Sequence, residues 1–362
     1  MTSKPQGVIP YQGISKLIDE SKVRAKSPIS NLQIQPSSLD LRLSSTAWRL
    51  QASFLPGIGC KVADQLTELS MHEINLSSGS IFEKNCVYLV LLKESVSLPE
   101  DLTAISNAKS SIGRLDLLTR LITDYGTEFD RIPSSYSGPL YAEVSPRSFS
   151  VLVKEGISLN QIRFRRGKVI IDDHTLIKLN NEVGLIGTNA TVDGGISFSI
   201  DLEKVSNQTL GYKAKPHTPL IDLSKTNFYK IDDFWDPIEV KDGRLILDPG
   251  AFYILMSKET VTIPPNFAAE MAPYLAIVGE FRVHYAGFFD PGFGFPSTGD
   301  TGSRGVLEIR CYEAPFALRS GQIIGRLIYE RMAEVPEILY GSKLKSNYQG
   351  QKLKLSKHFK DK

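Results

Sequence analysis

The segment KESVSLP at positions 93–99 returns as KETVTIP at 258–264, and two further pairs keep the same spacing. YAEV at 141–144 matches VLEI at 306–309, and KEGISLNQIRF at 154–164 matches RSGQIIGRLIY at 319–329. Each pair is separated by 165 positions, so Pro99, Glu143 and Gly156 answer to Pro264, Glu308 and Gly321. A repeat on this scale marks a duplicated structural unit, and it constrains the fold more than any local pattern does. Upstream, SSLDLRL at 37–43 resembles GISFSIDL at 195–202 at a slightly different spacing. Between the anchors, Phe129-Asp130 matches Phe289-Asp290 best, which gives the first half about five extra residues there. A glycine-rich stretch, GFGFPSTGDTGSRG, makes up the difference in the second half. Two copies of one domain, 1–170 and 171–362, joined near 165–185, are expected.

The local patterns inside each copy are of β type. LDLRL, VYLVLL, FSVLV, KVIID, ISFSIDL, RLILD and FYILM are short, rich in branched and aromatic residues, and bounded by Gly, Pro, Ser or Asn. Helical periodicity is confined to Gln12–Glu20, where Ile14, Leu17 and Ile18 share a face, and to parts of 102–122 and 266–282. Many short strands at turn-bounded spacing predict a barrel or a double-sheet roll for each half.

Composition narrows the function classes. The longest uninterrupted apolar run, Val87–Leu92, is far below the roughly 20 residues that span a bilayer. The N-terminus lacks the apolar stretch of a secretory signal, so a cytoplasmic location is expected, with no membrane partner. A formal net charge of +2 does not suggest nucleic-acid binding. Basic residues concentrate at Arg163, Arg165, Arg166 and Lys168 and in the C-terminal tail, where seven lysines face one acid, Asp361. The plain reading of such a tail is a frayed, solvated end. Cys60, Cys86 and Cys311 form no Cys-x-x-Cys pair and are expected to be reduced, buried packing residues.

One polar cluster interrupts the strand pattern of the first half: NAKSSIGRLDLLTR at 107–120. If the chain turns helical from about 108, Ser110 and Arg114 share a face, and the free N–H groups at the start favour an anion. At the common spacing Ser110, Ser111 and Arg114 fall on Leu275, Ala276 and Gly279, so the second half lacks the polar set.

The order of these motifs resembles the dCTP deaminases, trimeric relatives of dUTPase. QPSSLDLRL resembles the family's early strand motif, and KSSIGRL its Arg-Ser-Ser-x-x-Arg-Leu segment, with Lys109 replacing the first arginine. HYAGFFDPGFG and the later GVLEI resemble its threonine-alanine, aspartate-proline-glycine and valine-leucine-glutamate series. YQGQ at 348–351 resembles its nucleotide-covering tail. The resemblance implies two tandem dUTPase-like distorted β-barrel or jelly-roll domains with short helices. It also implies conversion of dCTP to dUTP and ammonia, within a homotrimer of six barrels.

Deaminating cytosine requires water to attack C4, a base to take its proton, and an acid to protonate the ring and the departing amine. One carboxylate in a partly dry pocket can carry those protons, and Glu308 and Glu143 are the candidates. The zinc deaminases use His-x-Glu and Pro-Cys-x-x-Cys motifs, and neither occurs, so a zinc-free reaction is expected. The resemblance assigns Ser110, Ser111 and Arg114 to positioning substrate and water, beside Lys109. It adds Tyr285 and Ala286 from the second half and Tyr348 and Gln349 from the tail as substrate contacts, and the positive charge a triphosphate needs adds Lys343 and Lys352 of the same tail. Magnesium is expected on the triphosphate.

The halves look complementary: the first keeps the serine–arginine set and reads TDYGTEFDRIP where the second keeps YAGFFDPGFG. A composite site, Ser110, Ser111 and Arg114 facing Ala286 and Glu308, is the expected arrangement. The competing one pairs Arg114 with Glu143 between first domains. A dUTP pyrophosphatase or bifunctional enzyme, with Asp290 or Asp130 activating water, and a non-catalytic nucleotide-binding protein are the other function classes.

Overall fold

The computed structural model describes residues 4–187, 191–203, 209–273, 281–284, 287–296, 302–342 and 353–360. They fall into two compact units. The first comprises Met1–Val169, Pro219–Thr226 and Met332–Glu337, and the second Ile170–Thr218, Asn227–Arg331 and Ile338–Lys362.

The first unit begins with α1 (Tyr11–Asp19), which buries Ile14 and Leu17 one turn apart. β1 (Leu39–Leu50) follows, with Leu39, Leu41 and Leu43 fully buried in strict alternation. After it come α2 (Val62–Leu69), β2 (Ser70–Asn75), β3 (Val87–Ser97) and β4 (Leu102–Ala108). The single turn α3 (Ser110–Gly113), β5 (Leu117–Thr123), β6 (Arg131–Ile132), β7 (Ser137–Pro146) and β8 (Ser158–Arg166) complete the main elements. These strands form one antiparallel sheet in the order β5-β7-β3-β1-β8-β4-β6, with β2 on β1. α3 carries the chain from β4, near one end of the sheet, to β5 at the other. Because β5 also packs against β4 and β6, the sheet rolls into a barrel.

The second unit opens with α4 (Asp173–Val183), started by Asp172, whose carboxylate accepts from Thr175 N at 2.9 Å, and stopped by left-handed Gly184. β9 (Ile196–Ser199), β10 (Tyr212–Ala214), β11 (Trp235–Pro237), β12 (Phe252–Val261), β13 (Phe267–Pro273), β14 (Phe281–His284), β15 (Phe288–Phe289), β16 (Ser303–Cys311) and β17 (Ile323–Arg331) follow. They make two antiparallel sheets, β9-β17-β13-β15 and β11-β10-β12-β16-β14. Phe198, Tyr253, Leu255, Leu307, Ile309, Leu327 and Tyr329 pack in the core. The long β1 of the first unit is represented here by two strands, β9 and β10.

Strand register carries the repeat into three dimensions. Glu143 lies opposite Leu89 and Glu308 opposite Ile254, both pairs separated by the same 165 positions. Tyr88 Oη accepts Glu83 N and Tyr253 Oη accepts Asp248 N, each at 2.9 Å. The repeated KE dipeptide buries its glutamate in both copies. Glu94 accepts Arg42 N at 2.7 Å, and Glu259 accepts Ser199 N at 2.8 Å. Gly156 and Gly321 turn the chain with φ of 85° and 80°, a conformation in which a Cβ is disfavoured.

Several expectations change. Of 102–122 only 110–113 is helical, and within 266–282 the stretches 267–273 and 281–282 are strand; α2 and α4 have no counterpart among the expected helices. KVIID is no strand, contributing one bridge, Ile170 to Glu330. Ile132 lies opposite Ala104 as Phe289 lies opposite Ala269, so Phe289 corresponds to Ile132 and not to Phe129. Arg120 and His284, opposite the two glutamates, are 164 apart, whereas Ile132 and Phe289 are 157 apart. The first half therefore has seven extra residues between Arg120 and Arg131. Cys311 is buried, but Cys60 and Cys86 are only half-buried. Arg163 belongs to no surface patch: it is fully buried and donates to Ser37 Oγ at 3.0 Å. The described end of the tail is docked: Phe359 is buried against Tyr229, Phe234 and Trp235, and Phe228 N donates to His358 O at 3.0 Å.

Candidate active site

The serine–arginine cluster is a tight turn at the end of β4. Lys109 N donates to Leu159 O at 2.9 Å, and Ile112 N and Gly113 N both donate back to Lys109 O. One turn aligns few peptide dipoles, so a helix-terminus field contributes little here. Ser111 and Arg114 are buried and Ser110 is half-buried, so the arginine is no surface residue. Lys109, expected to contact substrate, has its ammonium on the Asp40 carboxylate of β1. Behind the turn, buried Asp116 accepts Ser148 Oγ at 2.6 Å.

Glu143 is the carboxylate of the first unit. It sits in the middle of β7 with 1% of its surface exposed, between Arg120 on β5 and Leu89 on β3. Side chains directly opposite share a sheet face. Trp48, opposite Leu89, and the next row of Ile122, Tyr141 and Leu91 therefore share the face of Glu143. Val144, Ala142 and Val90 point the other way. The Glu143 face is roofed by a small apolar cluster in which Phe54, Val62, Leu66, Leu69 and Phe129 meet Leu50, Leu89, Ile122 and Tyr141. α2 and the loop before β6 thus dry the surroundings of the carboxylate.

Arg120 donates to Glu143 Oε1 from Nε at 3.0 Å and also from Nη2, while Glu143 Oε2 is buried and has no hydrogen-bond partner among the described residues. Nη2 donates further to Ser53 Oγ at 2.9 Å, and the guanidinium carbon stands 3.7 Å from the Phe129 ring centre. Asp130 completes the cluster. It adopts a left-handed φ of 62° and accepts Leu121 N at 2.7 Å. The residue keeps part of its surface, but its carboxyl is enclosed, and burial pushes it up to about 7. Nearby Glu143 raises it further, while the Leu121 N–H and Arg120 oppose the rise. Arg120, Phe129 and Asp130 were not assigned to this cluster from sequence. The polar position in LLTRLIT was the available signal, and the extra seven residues supply Phe129 and Asp130.

Glu308, on β16, is 4% exposed and lies opposite Ile254 and His284. Asp290 opens a turn in which Phe293 N donates to Asp290 O at 3.1 Å. Tyr285, Ala286, Lys343, Tyr348, Gln349 and Lys352 lie outside the described residues, as do Leu275, Ala276 and Gly279. No described helix is long and apolar enough to cross a membrane.

A rolled antiparallel sheet in the first unit and two packed antiparallel sheets in the second, with a buried glutamate at the same ladder position of each, make a mainly β, dUTPase-like fold. Comparison with known proteins agrees. Residues 5–168 match the family model of the 2'-deoxycytidine 5'-triphosphate deaminase N-terminal domain, and 172–359 that of its C-terminal domain. The chain belongs to the dCTP deaminase family. It is 48% identical to the 2'-deoxycytidine 5'-triphosphate deaminase from Agrobacterium tumefaciens, whose crystal structure superposes with a TM-score of 0.87 over 91% of this chain and 100% of that one. A Corynebacterium glutamicum protein named dCTP deaminase, dUMP-forming, is 33% identical over 126 residues, 33% of this chain and 62% of the relative. A dCTP deaminase of Natronomonas pharaonis is 33% identical over 136 residues, 36% and 64% respectively. These two alignments span less than two thirds of the relatives' own length.

Proposed function

We propose that the chain hydrolyses dCTP to dUTP and ammonia, with Glu143 as the carboxylate that handles the protons. The observation that supports this most directly is a strand glutamate held at one oxygen, with its other oxygen buried and without a hydrogen-bond partner among the described residues. Water attacks C4 of the base while Oε2 takes its proton. The carboxylic acid returns that proton to the ring nitrogen, then takes the proton of the new C4 hydroxyl and passes it to the amine, so that C4–N breaks as C4=O forms and ammonia leaves. The roof of Phe54 and Phe129 keeps bulk water from competing for Oε2. In this proposal Ser110, Ser111 and Arg114 position the substrate and the attacking water. Magnesium enters on the triphosphate, without zinc, and the working assembly is a homotrimer.

A second reading concerns the product. The Corynebacterium glutamicum relative is named dUMP-forming, which favours a reaction that continues from dUTP to dUMP and pyrophosphate. Incubating the full chain with dCTP and magnesium, and following ammonia, pyrophosphate and nucleotides, separates the two. Ammonia with dUTP is the expected result, and ammonia with stoichiometric pyrophosphate and dUMP supports the onward reaction. Glu143→Gln is expected to lower ammonia release by about 10³-fold. Loss in Glu308→Gln alone would move the proton-handling role to the second unit. No ammonia from the unmodified chain, with tight nucleotide binding, would replace the deaminase reading by a binding one.

A further inference from the structure

The contacts around Glu143 are lopsided in an informative way. Both bonds from Arg120, through Nε and through Nη2, end on Oε1. An ion pair serving only to neutralise a buried carboxylate gains most by spreading its two N–H groups over both oxygens. Here the fork is turned toward one oxygen, and two other contacts keep it turned. Ser53 Oγ accepts from Nη2 at 2.9 Å, and the Phe129 ring lies 3.7 Å from the guanidinium carbon. A planar cation with a ring on its face and a hydroxyl on its edge has little rotational freedom left. Backbone pairing fixes the other end, since Arg120 and Glu143 face each other across the β5–β7 ladder.

The geometry points to Arg120 as a positioning residue for the reaction. It pins Oε1, and so holds Oε2 bare and aimed, ready to accept the proton of the attacking water. The inference rests on the proposed role of Glu143 as the carboxylate that handles that proton. Ser53 and Phe129 act one step further out, by holding the arginine. Both come from segments that roof the sheet face, the stretch between β1 and α2 and the extra residues before β6. Opposite Glu308 the second unit has His284, so it does not repeat the arginine at this position.

The test uses the full-length chain, dCTP and magnesium, with Arg120→Ala, Arg120→Lys and Glu143→Gln. A positioning role places the loss in kcat: Arg120→Ala is expected to lower it about 10²-fold. KM is expected to change by less than about threefold, because the arginine touches the carboxylate and not the nucleotide. The side chain is partly open to solvent, so methylguanidinium added to Arg120→Ala should enter the vacated site and restore at least about tenfold of the rate. It should restore nothing in Glu143→Gln. Arg120→Lys keeps the charge without the fork and should fall between wild type and Arg120→Ala. It also carries the test if Arg120→Ala does not fold.

Unchanged kcat, a loss confined to KM, or a lost kcat that neither lysine nor methylguanidinium restores overturns the inference while leaving Glu143 in its role. A wild type that deaminates and a Glu143→Gln that does so equally well overturn the role of Glu143 and the inference with it. No ammonia from wild type overturns the deaminase reading itself. These three failures are distinguishable within one set of assays.

Discussion

Asp130 should make the first unit less stable as pH rises, and the size of the effect follows from its surroundings. Its carboxyl moves from an ordinary value of 3.8 to about 7 in the folded chain, chiefly through burial. A folded value above the unfolded one means that the native state holds the proton more tightly. The stabilisation is then complete below about 3.8 and is lost as pH rises through about 7. At 1.36 kcal/mol per pH unit the whole effect is about 4 kcal/mol, of which about 3 kcal/mol falls between pH 5 and pH 8. Asp130→Asn removes the titration and keeps an oxygen to accept Leu121 N.

The first unit can be followed separately because each unit holds one of the two tryptophans, Trp48 and Trp235. In a Trp235→Phe background, urea unfolding read by Trp48 fluorescence should show the variant gaining on the parent by about 3 kcal/mol from pH 5 to pH 8. Carboxylates remote from Asp130 titrate equally in both proteins and cancel in the difference. A gap that stays constant across this range would refute the reasoning, since it would mean that Asp130 is ionised in the fold throughout.

Two further outcomes test the scaffold. Glu94→Ala should destabilise the first unit by about 3–5 kcal/mol in the same unfolding assay, because it leaves the largely buried Arg42 guanidinium without its carboxylate, with only the Pro28 and Ser27 carbonyls accepting from its N–H groups among the described residues. Gly321→Ala should cost the second unit about 1 kcal/mol, seen as a lower urea midpoint by Trp235 fluorescence. Nothing lies within 4 Å of an added Cβ there, so the cost measures the left-handed backbone of φ 80° alone.

The features legible in the sequence were those written locally or repeated. The spacing of 165 reappears as ladder register, and α1 and most apolar runs lie where their periodicity puts them. What escaped depends on residues far apart in the chain. Arg120 reads as one polar position in a strand until Glu143 and Ser53 are placed beside it. Phe129-Asp130 resembles Phe289-Asp290 in letters, yet the strand partners put Ile132 where Phe289 stands. The dry setting of Glu143 is made by Phe54 and α2, which come from a different part of the chain and have no helical signature strong enough to stand out. In the tail, Lys343 and Lys352 stand out by charge and Tyr348 and Gln349 by resemblance, and all four lie outside the described residues.

The matched ladder positions turn this protein into its own control. A substitution made at Leu89 and again at Ile254, or at Glu143 and at Glu308, meets the same backbone pairing within one molecule, one solution and one preparation. Whatever the two replicas share is attributable to the strand framework; whatever they do not share belongs to the neighbours that each copy has acquired for itself. Pairs of proteins are usually needed for that subtraction, with all the differences in expression, buffer and history that come between them.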